Sequence, residues 1–364
     1  MGFGSAALED MGMNKVFWKG KRVFLTGHTG FKGGWLSLWL QQHGAEVTGY
    51  SLAPSTTPSL FELARVKEGI SSLIADIRDY DYLSSAMAKV DPDIIFHMAA
   101  QSLVRESYRV PVETFATNVM GTVHVLNAAR RMPSVRSIVV VTSDKCYRNR
   151  EWAWGYRENE PMGGNDPYSA SKGCAELAVA SYRNSYFSDP NPTSLASARA
   201  GNVIGGGDFS PDRLVPDILA AVGSRKPVSI RNPRSIRPWQ HVLEPLFGYL
   251  LLAEALYDHG KPFAEAWNFG PCDEDMRSVS WIAERMTKAF GEGASWEAVG
   301  GTHPHESTSL KLDSSRARTL LDWRPRLTLA NALDWIVEWT RAYTQKQDMR
   351  ERTCFEIRRY ESLG

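Results

Sequence analysis

The sequence predicts an α/β fold: a doubly wound parallel sheet followed by a smaller, mixed α/β lobe toward the C-terminus. Three observations lead there. Short continuous apolar runs, among them Val23-Phe24-Leu25, Ile94-Ile95-Phe96 and Ser137-Ile138-Val139-Val140-Val141, recur between stretches of helical patterning, as strands buried on both faces of a parallel sheet do. A turn punctuated by Gly27, Gly30 and Gly33 follows the first run and precedes a helix. After about Asn202 the rhythm loosens into Gly205-Gly206-Gly207, several prolines and polar stretches such as 231–237. At about 150 residues per domain, 364 residues make one large or two moderate domains. The division expected is a leader over 1–13, a dinucleotide-binding domain over 14–202, and a substrate-binding lobe mainly over 203–364 and interleaved with the first.

The elements follow in chain order. Val23-Phe24-Leu25 reads as the first strand, and the apolar density of Trp35-Leu36-Ser37-Leu38-Trp39-Leu40 suits a packed helix. Strands are expected over 46–50, 72–75 and 94–96, with a helix near 81–90 before the last of these. A helix from about 111 to 132 leads to 137–141, the most β-branched run in the chain. Right-handed crossovers turn this alternation into a sheet of the Rossmann type. The helix 332–343, with Leu333, Ile336, Val337 and Trp339 near one face, is expected to close the fold.

Composition narrows the function. Lys and Arg number 42 against 41 Asp and Glu, for a net charge of +1. No basic block is present that would neutralise a run of nucleic-acid phosphates or grip an anionic membrane. The most apolar stretch, 242–257, is interrupted by Glu244 and Glu254, so no membrane span is expected. The cysteines, Cys146, Cys174, Cys272 and Cys354, lie far apart and suggest neither zinc nor a disulfide framework, which points to a reducing cytoplasm.

The glycine turn has a physical use. Its first glycine permits a sharp bend, the second lets the backbone approach a pyrophosphate, and the third lets helix and sheet pack closely, with free N–H groups facing the anion. A merely structural turn is the alternative. The second strand ends in Gly49-Tyr50-Ser51-Leu52, without the acid that holds ribose hydroxyls and without a cation for a 2′-phosphate. NAD is therefore the expected cofactor, loosely held. Asp76, followed by Ile77, stands where a carboxylate meets the adenine amino group, or else is a solvated loop residue.

Tyr168 and Lys172 are four residues apart after Asp166-Pro167, an N-cap and first-turn proline that place both on one face of a helix. An adjacent ammonium is expected to lower the pKa of the phenol, so that it takes a proton from an alcohol while hydride leaves the carbon. The strand 137–141 ends in Thr142-Ser143-Asp144-Lys145, at the edge where such sheets bind ligands.

The glycine turn, the strand-end hydroxyl and the Tyr168/Lys172 pair resemble the extended short-chain dehydrogenase/reductase family, over about residues 15–343. Ser143-Asp144-Lys145 resembles its nucleotide-sugar 4,6-dehydratase branch. Lys145, where many branch members carry Glu, is similar to the subgroup acting on CDP-glucose, as are 97–104, 118–122 and Arg237-Pro238-Trp239-Gln240-His241-Val242. The resemblance implies that Ser143, Asp144, Lys145, Tyr168 and Lys172 are catalytic. Tyr168 acts at the C4 hydroxyl beside Ser143, and Asp144 protonates the C6 hydroxyl. Lys145 is the C5 base or only orients its neighbours. It further implies NAD contacts from Gly27, Gly30, Phe31, Lys32, Gly33, Asp76, Ile77, Ala99, Ala100, Tyr168 and Lys172. Nucleotide-sugar contacts are implied for Asn202, Arg213, Arg237, Asn268 and His305, with 229–232 around the base. Asn118 either reaches the cleft or stitches helix to sheet, and His97 is expected to be packed. A homodimer through the helices of Asn118 and Tyr168 is implied, with a tetramer open. The alternatives are a 4-epimerase, which needs no acid–base pair at C5 and C6, and a dehydratase for another nucleotide hexose.

Overall fold

The computed structural model describes residues 14, 16–291, 294–299 and 310–363; the expected leader, 1–13, lies wholly outside them. Seven strands, all parallel, form the main sheet. β1 (Arg22–Thr26) has β2 (Glu46–Ser51) and then β3 (Ser71–Ile74) on one side. On the other side lie β4 (Ile94–His97), β5 (Ser137–Val141), β6 (Ser194–Arg199) and finally the strand Ala266–Asn268. The strand order reverses between β1 and β4, so a crevice opens beyond their C-terminal ends. β4, β5 and β6 are buried along their whole length, which is why their sequences run apolar or small without alternation.

The expected strands all form, and so do the helices Phe31–Gln42 (α1) and Tyr80–Val90. The helix expected over 111–132 ends earlier and changes pitch on the way. It runs as Pro111–Phe115, a π-helical turn Ala116–Met120 and Gly121–Ala129. Such wide turns bring a side chain out of helical register, and the one displaced here carries the buried Asn118.

Beyond residue 202 the chain contributes to both parts of the molecule. The strand Ala266–Asn268 completes the main sheet, and the helix Leu243–His259, buried over most of its length, packs against β5 and β6. Its apolar stretch is thus interior packing, and no helix among the described residues is long and apolar enough to cross a membrane. The lobe proper contains the helices Leu214–Gly223 and Val279–Phe290, the parallel pair Val228–Ile230 with Trp296–Ala298, and the antiparallel pair Ile236–Pro238 with Met276–Ser278. Ile218, Ile230, Ile282, Met286, Leu333 and Ile336 form its own core.

The helix Leu329–Thr344 appears where expected but does not close the fold: Met349–Glu361 follows and packs on α1. The buried face of this last helix is Met349, Thr353, Cys354, Glu356, Ile357 and Tyr360. Half of those positions are polar or a thiol, so they leave too weak an apolar period to read. Trp339, from the penultimate helix, joins lobe and sheet. Its indole covers Gly206 so closely that a β-carbon there would lie 2.1 Å away, and its Nε1 donates to Thr353 Oγ1 at 3.1 Å. Trp35 of α1 donates to the Gly206 carbonyl at 3.0 Å.

Because Trp339 packs into the core of the sheet while Leu333 and Ile336 of the same helix enter the core of the lobe, Trp339→Ala is expected to cost about 3–5 kcal/mol in denaturant unfolding and to lower the whole transition. A separate early transition of the lobe would show that this helix does not couple the two cores.

Candidate active site

The turn between β1 and α1 is built by close approach. A β-carbon on Gly33 would lie 2.1 Å from the Gly27 carbonyl oxygen, so only glycine lets the helix start against the strand end. Gly30 is the N-cap of α1 and no side chain caps it, which leaves first-turn N–H groups facing the crevice. A dinucleotide pyrophosphate fits such a cradle by charge and by donor geometry.

The opposite wall of the crevice is pinned from below. Thr26 Oγ1 accepts from the backbone N–H of Met98 and Ala99 at 3.0 and 3.1 Å. His97 bridges Thr26 and Thr122 at 2.8 and 3.0 Å, and burial pushes its pKa down to about 3, so it is a neutral strand-end cross-link. Asn118 accepts from Gln101 N at 2.8 Å and donates to Gln101 O and Ser171 Oγ, each at 2.9 Å. It stitches the Ala99-Ala100-Gln101 loop to the helix Pro167–Ser185. At the far end Asp76 is held by Arg78 at 2.6 Å, which keeps its carboxyl below the usual range. Ile77 packs into the core, within 2.8 Å of where a β-carbon on Gly121 would be.

The reactive groups meet where β5 ends. Asp166 caps the helix Pro167–Ser185 by accepting from Ser169 N at 2.9 Å, and one turn separates Tyr168 from Lys172, both buried. Ser143 lines the same cavity as Tyr168, donates to Asp144 Oδ1 at 3.0 Å and accepts from Lys145 N at 3.2 Å. The expected lowering of the phenol pKa is not found. Burial pushes it up to about 12, against the pull of Ser143 and Arg213. Lys172 Nζ instead points at the Val141 carbonyl, 3.5 Å away, and burial draws its own pKa down to about 8 against the raising field of Glu176. Asp144 Oδ2 is buried without a hydrogen-bond partner, 2.0 Å from where a β-carbon on Gly201 would sit. Only glycine at 201 leaves room for it.

A cavity of about 790 Å³ opens above this cluster. Ser143, Asp144, Lys145 and Tyr168 line it together with Phe31 and Lys32 from the turn, and Asn202, Arg213, Arg237 and residues 229–232 from the lobe. Lys172, Gly27, Gly30, Gly33, Asp76, Ile77, Ala99 and Ala100 do not line it. Asn202 Nδ2 is buried without a partner. Arg213 is anchored by Asp208 at 3.0 Å and by Ser102 Oγ at 3.2 Å. Asn268 is not brought to the cavity. It is wholly buried, accepts from the Tyr147 hydroxyl at 2.7 Å and donates to the carbonyls of Tyr156 and Asp313 at 2.8 and 3.2 Å, so its amide is consumed by the fold. His305 lies outside the described residues.

Beneath the site lies a charged network that the sequence reading missed. Glu176 and Arg199 form a buried ion pair at 2.7 Å. Glu176 also accepts from Thr142 and, at 2.7 Å, from Ser197, and Arg199 donates to the Tyr147 hydroxyl at 2.6 Å. The network ties β5 and β6 to the helix of Tyr168. Its one sequence signal is that Glu176 follows Lys172 by one helical turn.

Residues 24–335 match the family model described as GDP-mannose 4,6 dehydratase. The chain is 55% identical to the CDP-glucose 4,6-dehydratase of Salmonella typhimurium over 341 residues, 93% of this chain and 95% of that protein. It is 29% identical to a dTDP-glucose 4,6-dehydratase of Streptomyces antibioticus, over 73% of this chain and 75% of the relative. A solved dTDP-glucose 4,6-dehydratase from Bacillus anthracis, in complex with NAD, superposes with a TM-score of 0.74 at 19% identity, covering 90% of this chain and 99% of that one. That likeness shows the shared fold.

Glu176→Ala strands the buried Arg199 charge and is expected to cost about 3–5 kcal/mol in urea unfolding. The double variant Glu176→Leu with Arg199→Met is expected to lose less than Glu176→Ala alone. A double variant that loses more would show that the pair is net stabilising rather than merely costly to split.

Proposed function

The chain belongs to the GDP-mannose 4,6 dehydratase family, and from that premise we propose that it converts CDP-glucose to CDP-4-keto-6-deoxyglucose, with NAD regenerated in each cycle. The observation that carries this reading is the Asp144–Lys145 pair lining the same cavity as Ser143 and Tyr168, supported by 55% identity to a CDP-glucose 4,6-dehydratase.

NAD, when bound, supplies the acceptor for the C4 hydride and the donor that later reduces C6. Gly27, Gly30 and Gly33 cradle its pyrophosphate, Ala99 and Ala100 border it, Asp76 stands at its adenine end and Lys172 holds its ribose. Tyr168 takes the proton of the C4 hydroxyl while Ser143 hydrogen-bonds the oxygen. Its phenol is buried and raised, so it depends on positive charge near it to give up its proton. Oxidation at C4 acidifies the C5 proton, which Lys145 removes. Asp144 protonates the C6 hydroxyl as it departs, so water leaves across C5 and C6. Lys145 then returns a proton to C5 as C6 is reduced. Arg213 and Arg237 face the diphosphate with the geometry that guanidinium groups offer phosphate oxygens, Asn202 offers its free amide to the sugar, and 229–232 surround the cytosine.

We further propose a homodimer formed through the helices flanking Asn118 and Tyr168, where Val112 and Leu177 are 76% and 62% exposed and Phe115 and Met120 are also uncovered. That much open apolar surface on adjoining helices suits a second copy of the chain. Exposed thiols at Cys174 and Cys272 suit a reducing cytoplasm.

Incubation with CDP-, dTDP-, UDP- and GDP-hexoses plus NAD is expected to yield, from CDP-glucose above all, a product lighter by one water. A product of unchanged mass with an inverted C4 would replace dehydration by epimerisation. Tyr168→Phe is expected to lower turnover by roughly 10²–10⁴-fold, and retained activity would remove its role. Lys145→Met is expected to oxidise C4 but to stall before water loss, and undiminished exchange of the C5 proton with solvent would show that another group is the base. Leu177→Lys with Met120→Glu is expected to give a monomer by light scattering; an unchanged mass would place the interface elsewhere.

A further inference from the structure

The glycine turn carries one side chain that the reaction above leaves unused. Lys32 leaves the first turn of α1, is half-buried, and lines the same cavity as Asp144, Tyr168 and Arg213. Among the described residues nothing forms a hydrogen bond or ion pair with its ammonium. The charged groups that act on it come from three different elements: Lys172 from the helix Pro167–Ser185, Arg213 from the segment before the helix Leu214–Gly223, and Asp144 from the turn after β5. Two of the three repel it, and the carboxylate already accepts a hydrogen bond from Ser143. Burial and these two cations draw the Lys32 pKa down to about 7, so near neutrality its proton is held weakly. Such a concentration of cationic groups around open space is complementary to an anion that the protein does not itself provide.

We propose that Lys32 is a substrate-binding residue whose ammonium, together with Arg213, holds the diphosphate of the nucleotide sugar. The inference rests on the nucleotide-sugar reading of the site. The substrate is favoured over the dinucleotide because the cavity that Lys32 lines extends to Asn202, Arg213 and Arg231, whereas a dinucleotide pyrophosphate is served by the main-chain donors of the turn itself. A diphosphate diester keeps its charge unchanged around neutrality, so bringing it against Lys32 raises the affinity of the amine for a proton. Binding then takes up a proton from solution. Affinity for the sugar nucleotide is highest below the free-state value of about 7 and falls as the pH rises through it.

The test is calorimetry of CDP-glucose binding to full-length protein saturated with NAD, in the Tyr168→Phe background so that turnover does not contribute. At about pH 8, in buffers of different ionisation enthalpy, Lys32 is expected to account for about one proton taken up per ligand bound. Lys172, itself drawn down to about 8, shares its field with Lys32, so the decisive comparison is with Lys32→Arg, which keeps a cation at the turn while removing the titrating amine. Lys32→Met is expected to lose that proton and to raise the dissociation constant roughly tenfold or more. Lys32→Arg, charged throughout, is expected to keep most of the affinity without the uptake, and it carries the test if the Met variant does not fold. Undiminished uptake in either variant, or uptake that accompanies NAD binding rather than CDP-glucose, would overturn the inference. Failure of every form to bind CDP-glucose would instead overturn the nucleotide-sugar reading.

Discussion

Parallel strands deliver all their C-terminal ends to one edge of a sheet, and in this molecule the candidate site opens at that edge. The reversal of strand order between β1 and β4 opens the crevice there, because the connections from the two strands leave toward opposite faces. The sheet's share of the candidate site is attached at that edge. The glycine turn follows β1, the pinned Ala99-Ala100-Gln101 loop follows β4, and Ser143, Asp144 and Lys145 follow β5. The helix of Tyr168 is held against the same edge by Glu176, which reaches Thr142 past the end of β5 and both Ser197 and Arg199 in β6. A charge buried under the site is costly unless paired. Here the pairing ties two strands and the helix together in one geometry.

The lobe completes the site rather than sitting beside it. Gly201 and Asn202 follow β6 directly, so the chain that leaves the sheet passes over Asp144 before it builds the cavity wall. Arg213 and Arg237 then come from segments whose position depends on the lobe's own core of Ile218, Ile282 and Ile336 and on Trp339 joining that lobe to α1 and the last helix. The result is one cavity lined at one end by residues that follow the sheet strands and at the other by residues of the lobe. Lys32 belongs to the sheet's turn and lines the same cavity as the lobe's Arg213.

Several residues changed meaning once their neighbours were known. Asn268 matched a substrate-contact position, yet its amide is fully occupied by Tyr147, Tyr156 and Asp313. The Tyr168/Lys172 spacing suggested a phenol made acidic by its ammonium, but burial dominates and leaves the phenol raised. Spacing reports which side chains share a helix face; it says nothing about how much protein surrounds them, and the surroundings decide the sign of the shift. The final helix escaped the sequence reading because Thr353, Cys354 and Glu356 occupy buried positions that an apolar pattern cannot reveal.

By itself the sequence determined the class of sheet, the places of its first strands along the chain, the glycine turn, the strand end at Ser143-Asp144-Lys145 and the shared helix face of Tyr168 and Lys172. Those features depend on local periodicity, on glycine's freedom and on residues close together in the chain, all of which are written in short stretches; the joining of the last two groups came from family resemblance. Only the tertiary structure decided that residues 266–268 extend the sheet, that Glu176 pairs with Arg199, that Gly201 makes room for Asp144, and that Lys32 and Arg213 line one cavity. Each of those depends on residues far apart in sequence being brought to one place. Burial and charge act on what is near in space, and nearness in space is settled only when the whole chain has packed.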